Sequence, residues 1–322
     1  MMMRYFYRCL WAFTIFMLPA YSVIAQPYPD KPITIVIPMG AGGASDVLMR
    51  TISPVLSSQL GQSIIVDNRP GANGLIGEEY FARAKPDGYT WMLGTASATT
   101  NLWMHKLSYD PRQAFVPVMK IAAVPMALVV NSSKVPSRNV KDFVNFAKAS
   151  SPSLTYGTWG EGSVSHLTME LFKGQTKVNL SHIPYKTSPQ ALNDVLAGQI
   201  DAMFIGLAAA NQQVSSGKLS ILAITSPVRS SIAPQILTMT ESGFPGVEFE
   251  SWFGIFLPAG TPAGLIKTIH QALEKTLAQT DLKSKLAQAG YRVIGDSPES
   301  FAKYYQNEII GNEQIIKAAA GK

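Results

Sequence analysis

Cysteine is almost missing from this chain: among 322 residues only Cys9 is one. A disulfide framework and a thiolate metal site are thereby excluded, since each needs several cysteines. Histidine is scarce as well. The four are His105, His166, His182 and His270, and none stands at a metal-site spacing. Charged residues are only 15% of the chain while 47% are hydrophobic, which excludes a disordered chain. Lys and Arg exceed Asp and Glu, 27 to 21, yet no arm, stripe or run gathers them, so no nucleic acid partner is expected. No phosphate loop with Gly-Lys-Ser/Thr, no complete G-x-G-x-x-G and no H-E-x-x-H occurs, and no cofactor or metal is expected.

Long apolar runs are lacking except at the start. Leu10–Ala20 is apolar, Arg4 and Arg8 lie ahead of it, and Val23-Ile24-Ala25 follows. That is the pattern of a cleavable export signal over residues 1–25. The run is shorter than the roughly 20 residues of a membrane-spanning helix. Cys9 precedes the run, whereas a lipoprotein needs its cysteine after it. The expectation is an exported protein with no cysteine once the signal is removed, stable through its core alone.

What fills the rest is an alternation of β-branched apolar runs with helix-period segments. Strands are predicted at Ile33–Ile37, Ser63–Val66, Thr90–Gly94, Pro125–Val130, Leu154–Tyr156, Asp201–Ile205, Ile221–Thr225 and Phe253–Leu257. Helices are predicted at 74–84, 139–149, 165–173, 189–197, 262–279 and 298–310. A further helix, after the first strand, carries Leu48, Ile52, Val55, Leu56 and Leu60 on one face. The alternation predicts an α/β fold of parallel sheets with helices on both faces. No floppy linker interrupts it, so two domains would be joined by strands, as in a hinge.

Open parallel sheets bind ligands beyond the carboxyl ends of their strands, at helix starts. The first such loop is Pro38–Asp46. Gly40, Gly42 and Gly43 allow a close backbone approach, Ser45 or Asp46 suits a helix cap, and free N–H groups favour a carboxylate or phosphate. A tight turn with no ligand is the plainer alternative. The second loop, Gly157–His166, offers the flat face of Trp159, the charge of Glu161 and the hydroxyls of Ser163 and Ser165. Its plainer alternative is a capped helix with a packed Trp. Tyr185 and Lys186 stand in a third loop, and Ser97–Asn101 is a small polar fourth stretch. Around Ser163 the chain approximates a nucleophile elbow, but Ser165 stands where that motif needs its second Gly. A Ser163–His166 hydrolase is therefore set below a structural pairing, and no enzymatic activity is expected.

Several stretches are more specific. They are Tyr28–Pro32, Asn68–Gly74 with Gly77, Ala84–Thr90, Gly162–His166, Pro184–Lys186, Gly198–Asp201, Ser251–Gly254 and Pro258–Pro262. In this order they resemble the Bug family, the extracytoplasmic solute receptors of tripartite tricarboxylate transporters, over nearly the whole chain after the export signal. The resemblance implies a periplasmic-binding-protein type II fold, a two-lobed Venus flytrap with hinge strands. Domain 1 would contain 26–123 and 252–322, and domain 2 residues 124–251. It implies a monomeric periplasmic protein that captures a small carboxylate and presents it to membrane transporter subunits or to a sensor protein. Carried over, the ligand-facing positions are Met39, Ala41, Gly42, Gly43, Asp46, Ser163, Ser165 and His166, with Tyr185, Lys186 and Asp201 nearby; Ser97, Trp159 and Glu161 join them from the loop reading. Three departures bear on ligand class. Met39 replaces an aromatic, Thr187 stands where Gly is usual with Pro189 one place early, and Glu161 adds a negative charge.

Overall fold

The computed structural model describes residues 28–320. The expected export signal lies outside them. Ten strands follow in the order β1 (Ile33–Ile37), β2 (Ile64–Asn68), β3 (Thr90–Gly94), β4 (Phe115–Asn131), β5 (Thr155–Thr158), β6 (Ser181–Pro184), β7 (Ala202–Gly206), β8 (Leu219–Ile224), β9 (Glu250–Pro258) and β10 (Arg292–Val293). They form one curled sheet in the order β2-β1-β3-β9-β4-β7-β5-β6, with β8 and β10 also paired to β4. The helices that matter below are α1 (Ala44–Leu60), α2 (Leu75–Ala82), α3 (Ser97–Met104), α4 (Pro111–Ala114), α5 (Val140–Ala149), α6 (Val164–Thr176), α7 (Ser188–Leu196), α8 (Leu207–Val214), α9 (Ala263–Leu277), α10 (Thr280–Gln288) and α11 (Pro298–Ala320).

Two lobes result. In the first, β1 and β3 are parallel and α1, α9 and α10 bury Leu48, Met49, Ile52, Ile269 and Leu273 against them. In the second, β5 and β7 are parallel and α7 and α8 pack Ala191, Val195 and Leu207 on Met203 and Ile205. The expected parallel pairing is found within each lobe, β1 with β2 and β3 and β5 with β6 and β7, but β4 pairs antiparallel with β7, β8, β9 and β10. β4 is the reason the lobes form one body: its first half belongs to one lobe and its second half to the other. The 17-residue strand contains Pro117 and Pro125, and its pairing with β9 shifts register between Pro117 and Met119 and again between Lys120 and Ala122. Bulges of this kind are where a strand tolerates Pro.

Helix α11 crosses back over the junction and packs against α3, β4 and α6. Its Phe301 and Tyr305 rings meet Phe256 at 5.0 Å each. Gly254 makes that approach possible, because a β-carbon there would lie 2.1 Å from the Phe301 ring. In the same way a β-carbon on Gly77 would lie 2.8 Å from Pro38 Cα, so α2 rests directly on the base of the β1–α1 loop.

The register sets the direction of every loop. Gly94, the last residue of β3, pairs with Gly254, which pairs with Lys120 of β4. Gly206, the last residue of β7, pairs with Met126 of β4. β3 runs with β4 and β7 runs against it, so the carboxyl ends of the two parallel sets point at each other. They are separated by the stretch from Lys120 to Met126, roughly 20 Å at about 3.3 Å per residue. The loops that follow β1, β3, β5, β6 and β7 therefore converge on one cleft.

Candidate functional site

Lobe 1 contributes the β1–α1 loop. Gly40 to Ala44 are exposed, whereas Asp46 is buried. Gly42 has φ +76° and donates its N–H to Asp46 Oδ2 at 2.9 Å. Arg50 Nε donates to both Asp46 oxygens at 3.0 Å and Arg50 also reaches Asn68, whose amide holds the carbonyl of Met39 at 3.1 Å. The Met39 side chain packs on the lobe 1 core. Arg50, followed by the Gly42 N–H, holds the Asp46 carboxyl below its usual range. Asp46 thus shapes the loop from inside. The N-cap of α1 is Gly43, extended and with no side-chain hydrogen bond to the first turn. Uncapped first-turn N–H groups with the positive end of the helix dipole suit an anion. α4, α5, α6 and α7 begin with the side chains of Asp110, Asn139, Ser163 and Thr187 as caps, whereas α2, α3, α8, α9 and α10 share with α1 the lack of a side-chain cap.

Ser97, on α3, is buried, and its hydroxyl donates to Glu78 Oε1 at 2.6 Å. Glu78 is a buried carboxyl that also accepts from Asn101 at 2.9 Å and Tyr109 at 3.0 Å. Burial pushes its pKa up. Asn101 reaches on to the carbonyl of Asn73 in the 71–74 turn, where four consecutive residues have positive φ. Glu78 therefore ties the Asn68–Gly77 stretch to the β3–α3 corner, which explains the specificity of that motif.

Lobe 2 contributes the β5–α6 loop. The Ser163 hydroxyl lies 2.6 Å from Gly160 O and 3.0 Å from Ser165 Oγ, and accepts from the backbone N–H of His166. The imidazole of His166 instead accepts from Gly162 N–H at 3.2 Å and stacks on His182. Ser163 and His166 are a capping pair and are not arranged as nucleophile and base. Trp159 is half-buried against the apolar core of lobe 2 and the cluster that spans both lobes, and Glu161 is exposed. Ala41 and Lys186 are also exposed, and the Tyr185 hydroxyl donates to Asp194 at 2.7 Å. One expected neighbour is not brought to the cleft. Asp201 sits at the amino end of β7, and its carboxylate accepts from the Thr155 N–H and hydroxyl, both at 2.8 Å, at the amino end of β5. Glu78 and His182 are shaping groups that motif reading passes over: each is a single residue whose partners are distant in sequence.

Among the described residues no three His, Cys, Asp or Glu side chains gather to hold a metal ion, and no helix is long and apolar enough to cross a membrane. Two α/β lobes joined through β4 and β9, with strand-end loops converging between them, define a periplasmic-type binding protein. A family profile described as tripartite tricarboxylate transporter family receptor matches residues 48–320, and the chain belongs to that family of solute-binding receptors. BugT of Bordetella pertussis is 31% identical over 306 residues, covering 94% of this chain and 94% of that protein. The periplasmic binding protein BugD matches with a TM-score of 0.79 at 31% identity, over 91% of this chain and 99% of that one. An R. palustris protein with adipate gives 0.82 at 34% identity, over 91% and 98% of the chains. MatC from Rhodopseudomonas palustris with bound malate gives 0.78 at 28%, over 90% and 100%.

Proposed function

We propose that this chain captures a small carboxylate in the cleft between lobes 26–123 with 252–322 and 124–251, and presents it to membrane transporter subunits. The observation that carries the reading is the uncapped amino terminus of α1, with its exposed glycine loop, aimed at lobe 2 by the strand register. The carboxylate rests on the N–H groups of Ala44 and Ser45, since the Gly43 N–H already donates to Gly40 O at 3.4 Å, while the β5–α6 loop and Lys186 close on it from the other side. The adipate and malate of the two structural relatives support that ligand class. So does the energetic scale. Micromolar affinity is about −8.2 kcal/mol, and two or three hydrogen bonds to a charged group contribute roughly 1.5–3 kcal/mol each. Closure then follows because only the closed state contacts the ligand from both lobes. Export through residues 1–25 to the periplasm completes the reading.

Calorimetric titration with mono-, di- and tricarboxylates tests it. At least one is expected to bind at micromolar concentration, with compaction of the protein in small-angle scattering. A panel in which no carboxylate binds overturns the proposal.

A further inference from the structure

Behind the β5–α6 loop a cavity of about 330 Å³ opens between the lobes. Tyr156, His166, His182 and Glu170 line it from lobe 2, and Met104 of α3 and Ile316 of α11 from lobe 1. On its wall three rings are stacked. Tyr156 and His182 have centroids 4.9 Å apart, His182 and His166 4.6 Å, and each pair is 16° from parallel.

Both imidazoles hydrogen-bond to one short segment. His166 Nδ1 takes the Gly162 N–H. His182 Nε2 lies 2.7 Å from Thr158 Oγ1, which itself accepts from Gly160 N–H at 3.2 Å. The Thr158 hydroxyl also reaches Gly160 O at 3.4 Å, so Thr158 joins His182 to the backbone of Gly160 whichever of the two carries the shared proton. A ring nitrogen accepts only while it carries no proton, so the Gly162 bond needs a neutral His166. Segment 158–162 is also the one that meets the other lobe: a β-carbon on Gly162 would lie 1.9 Å from Met104 Sδ.

The charges facing the pair are Glu161 of the loop and Glu170 and Lys173 of α6, the last two ion-paired with each other. Tyr156 of β5 donates to Glu170 at 2.8 Å, while α3 and α11 present only Met104 and Ile316 to the cavity. We infer that His166, stacked on His182, is a positioning residue for capture: the two imidazoles hold segment 158–162 in its ligand-receiving shape, and protonation of His166 releases it. This rests on the reading that the β5–α6 loop touches the captured carboxylate.

Burial, with His166 beside it, pushes His182 down to about 4, and burial lowers His166 from its usual value. Lowered histidines stay neutral to below the ordinary imidazole range. Stability is thus full above about pH 6.5 and is lost as pH falls towards the folded values.

The test reads the loop and the ligand separately. First, nitrogen-15 NMR follows the imidazoles and the Gly162 amide from pH 8 to pH 4 without ligand. Then adipate, or malate where adipate does not bind, is titrated across the same pH range into wild type, His182→Gln, His166→Asn and His166→Leu. The amide oxygens of Gln and Asn supply an acceptor that does not titrate. The Gly162 amide is expected to move with His166 protonation. Relative to His166→Asn, wild-type affinity falls by up to tenfold per pH unit below the His166 midpoint, and His182→Gln, which keeps His166, falls with wild type. At pH 7.5 His166→Asn binds at least several-fold tighter than His166→Leu. A Gly162 amide indifferent to imidazole protonation, or no rescue by Asn over Leu, overturns the positioning role whatever the ligand. An amide that responds while wild type and His166→Asn lose affinity in parallel overturns the loop's place in the site, and the role in capture with it.

Discussion

Replacing Gly162 by Ala strains the site in two separable ways. Gly162 has φ +68°, and an L side chain in that left-handed region costs about 1–2 kcal/mol. The added methyl also lies 1.9 Å from Sδ and 2.9 Å from Cε of Met104, where an unstrained contact needs about 3.5–4.0 Å. Met104 is an unbranched side chain at the end of α3, so it swings aside before the helix moves. Overpacking of this sort costs about 1–3 kcal/mol. The backbone strain falls on the loop alone, but the clash falls on the approach of the lobes, because Met104 belongs to one and Gly162 to the other.

A double-mutant cycle separates the two. Calorimetric titration with the tightest carboxylate of the panel is run on wild type, Gly162→Ala, Met104→Ala and the double variant. Gly162→Ala alone is expected to lose about 2–5 kcal/mol between folding and binding. With Met104 shortened the clash disappears, so about 1–3 kcal/mol should return as coupling, a factor of roughly 5–150 in affinity. If Gly162→Ala costs the same in both backgrounds, Met104 has no part in closure. If it binds as wild type does, the β5–α6 loop leaves the site altogether.

Three other outcomes follow from the same geometry. Asp46→Ala removes the acceptor of Gly42 N–H, worth about 1.5–3 kcal/mol for a bond to a charge, while its largely exposed partner Arg50 adds at most about 1 kcal/mol. Because the Asp46 carboxyl is lowered, its stabilisation is present above about pH 3.9 and lost as pH falls through the folded value. Melts from pH 6 to pH 2 should show that loss in wild type and not in the variant. Glu78 has the opposite sign: a raised carboxyl makes stability fall as pH rises from about 4.3 through the folded value. Urea unfolding from pH 4 to pH 8 should show that slope in wild type and flatten it in Glu78→Gln, and equal slopes would mean the carboxyl is not the source. Glu161→Gln should improve citrate relative to a monocarboxylate by up to about fivefold, the scale of an exposed charge; an unchanged ranking in competition titrations removes that charge from selectivity.

How far such geometry is legible in advance depends on whether neighbours in sequence are neighbours in space. Ile33–Ile37, the helix after it and Thr90–Gly94 declare themselves, because a buried strand or a one-sided helix writes its own period. β4 shows only its last third as an apolar run, since Pro117, Lys120 and Pro125 break the pattern; the bulged pairing with β9 that accommodates Pro117 and Lys120 is written in another segment. Ser97–Met104 carries no helical signal, and its Thr and Asn residues favour other conformations. It is helical because Glu78 holds Ser97 and Asn101, Asn312 holds Thr99 at 2.8 Å, and Tyr305 holds the Ala98 carbonyl at 3.1 Å. β6 is an exposed edge strand with almost nothing apolar to announce it.

The site divides along the same line. Loops that receive a ligand can be located from strand-to-helix order and glycine content, because backbone N–H groups at a helix start are donors whatever the side chains do. What each side chain is free to offer is decided by its partner, and the partners here are remote: Thr155 for Asp201, Asp194 for Tyr185, Glu78 for Ser97, His182 for His166. A hydroxyl or carboxylate already bonded inside its lobe gains little by turning to a ligand, since it would leave a buried partner unsatisfied at about 1–3 kcal/mol. The exposed groups pay no such cost. On the proposed reading, recognition in this cleft falls to the amides of Ala44 and Ser45, to Glu161 and to Lys186, while the bonded side chains fix the shape those groups are presented in.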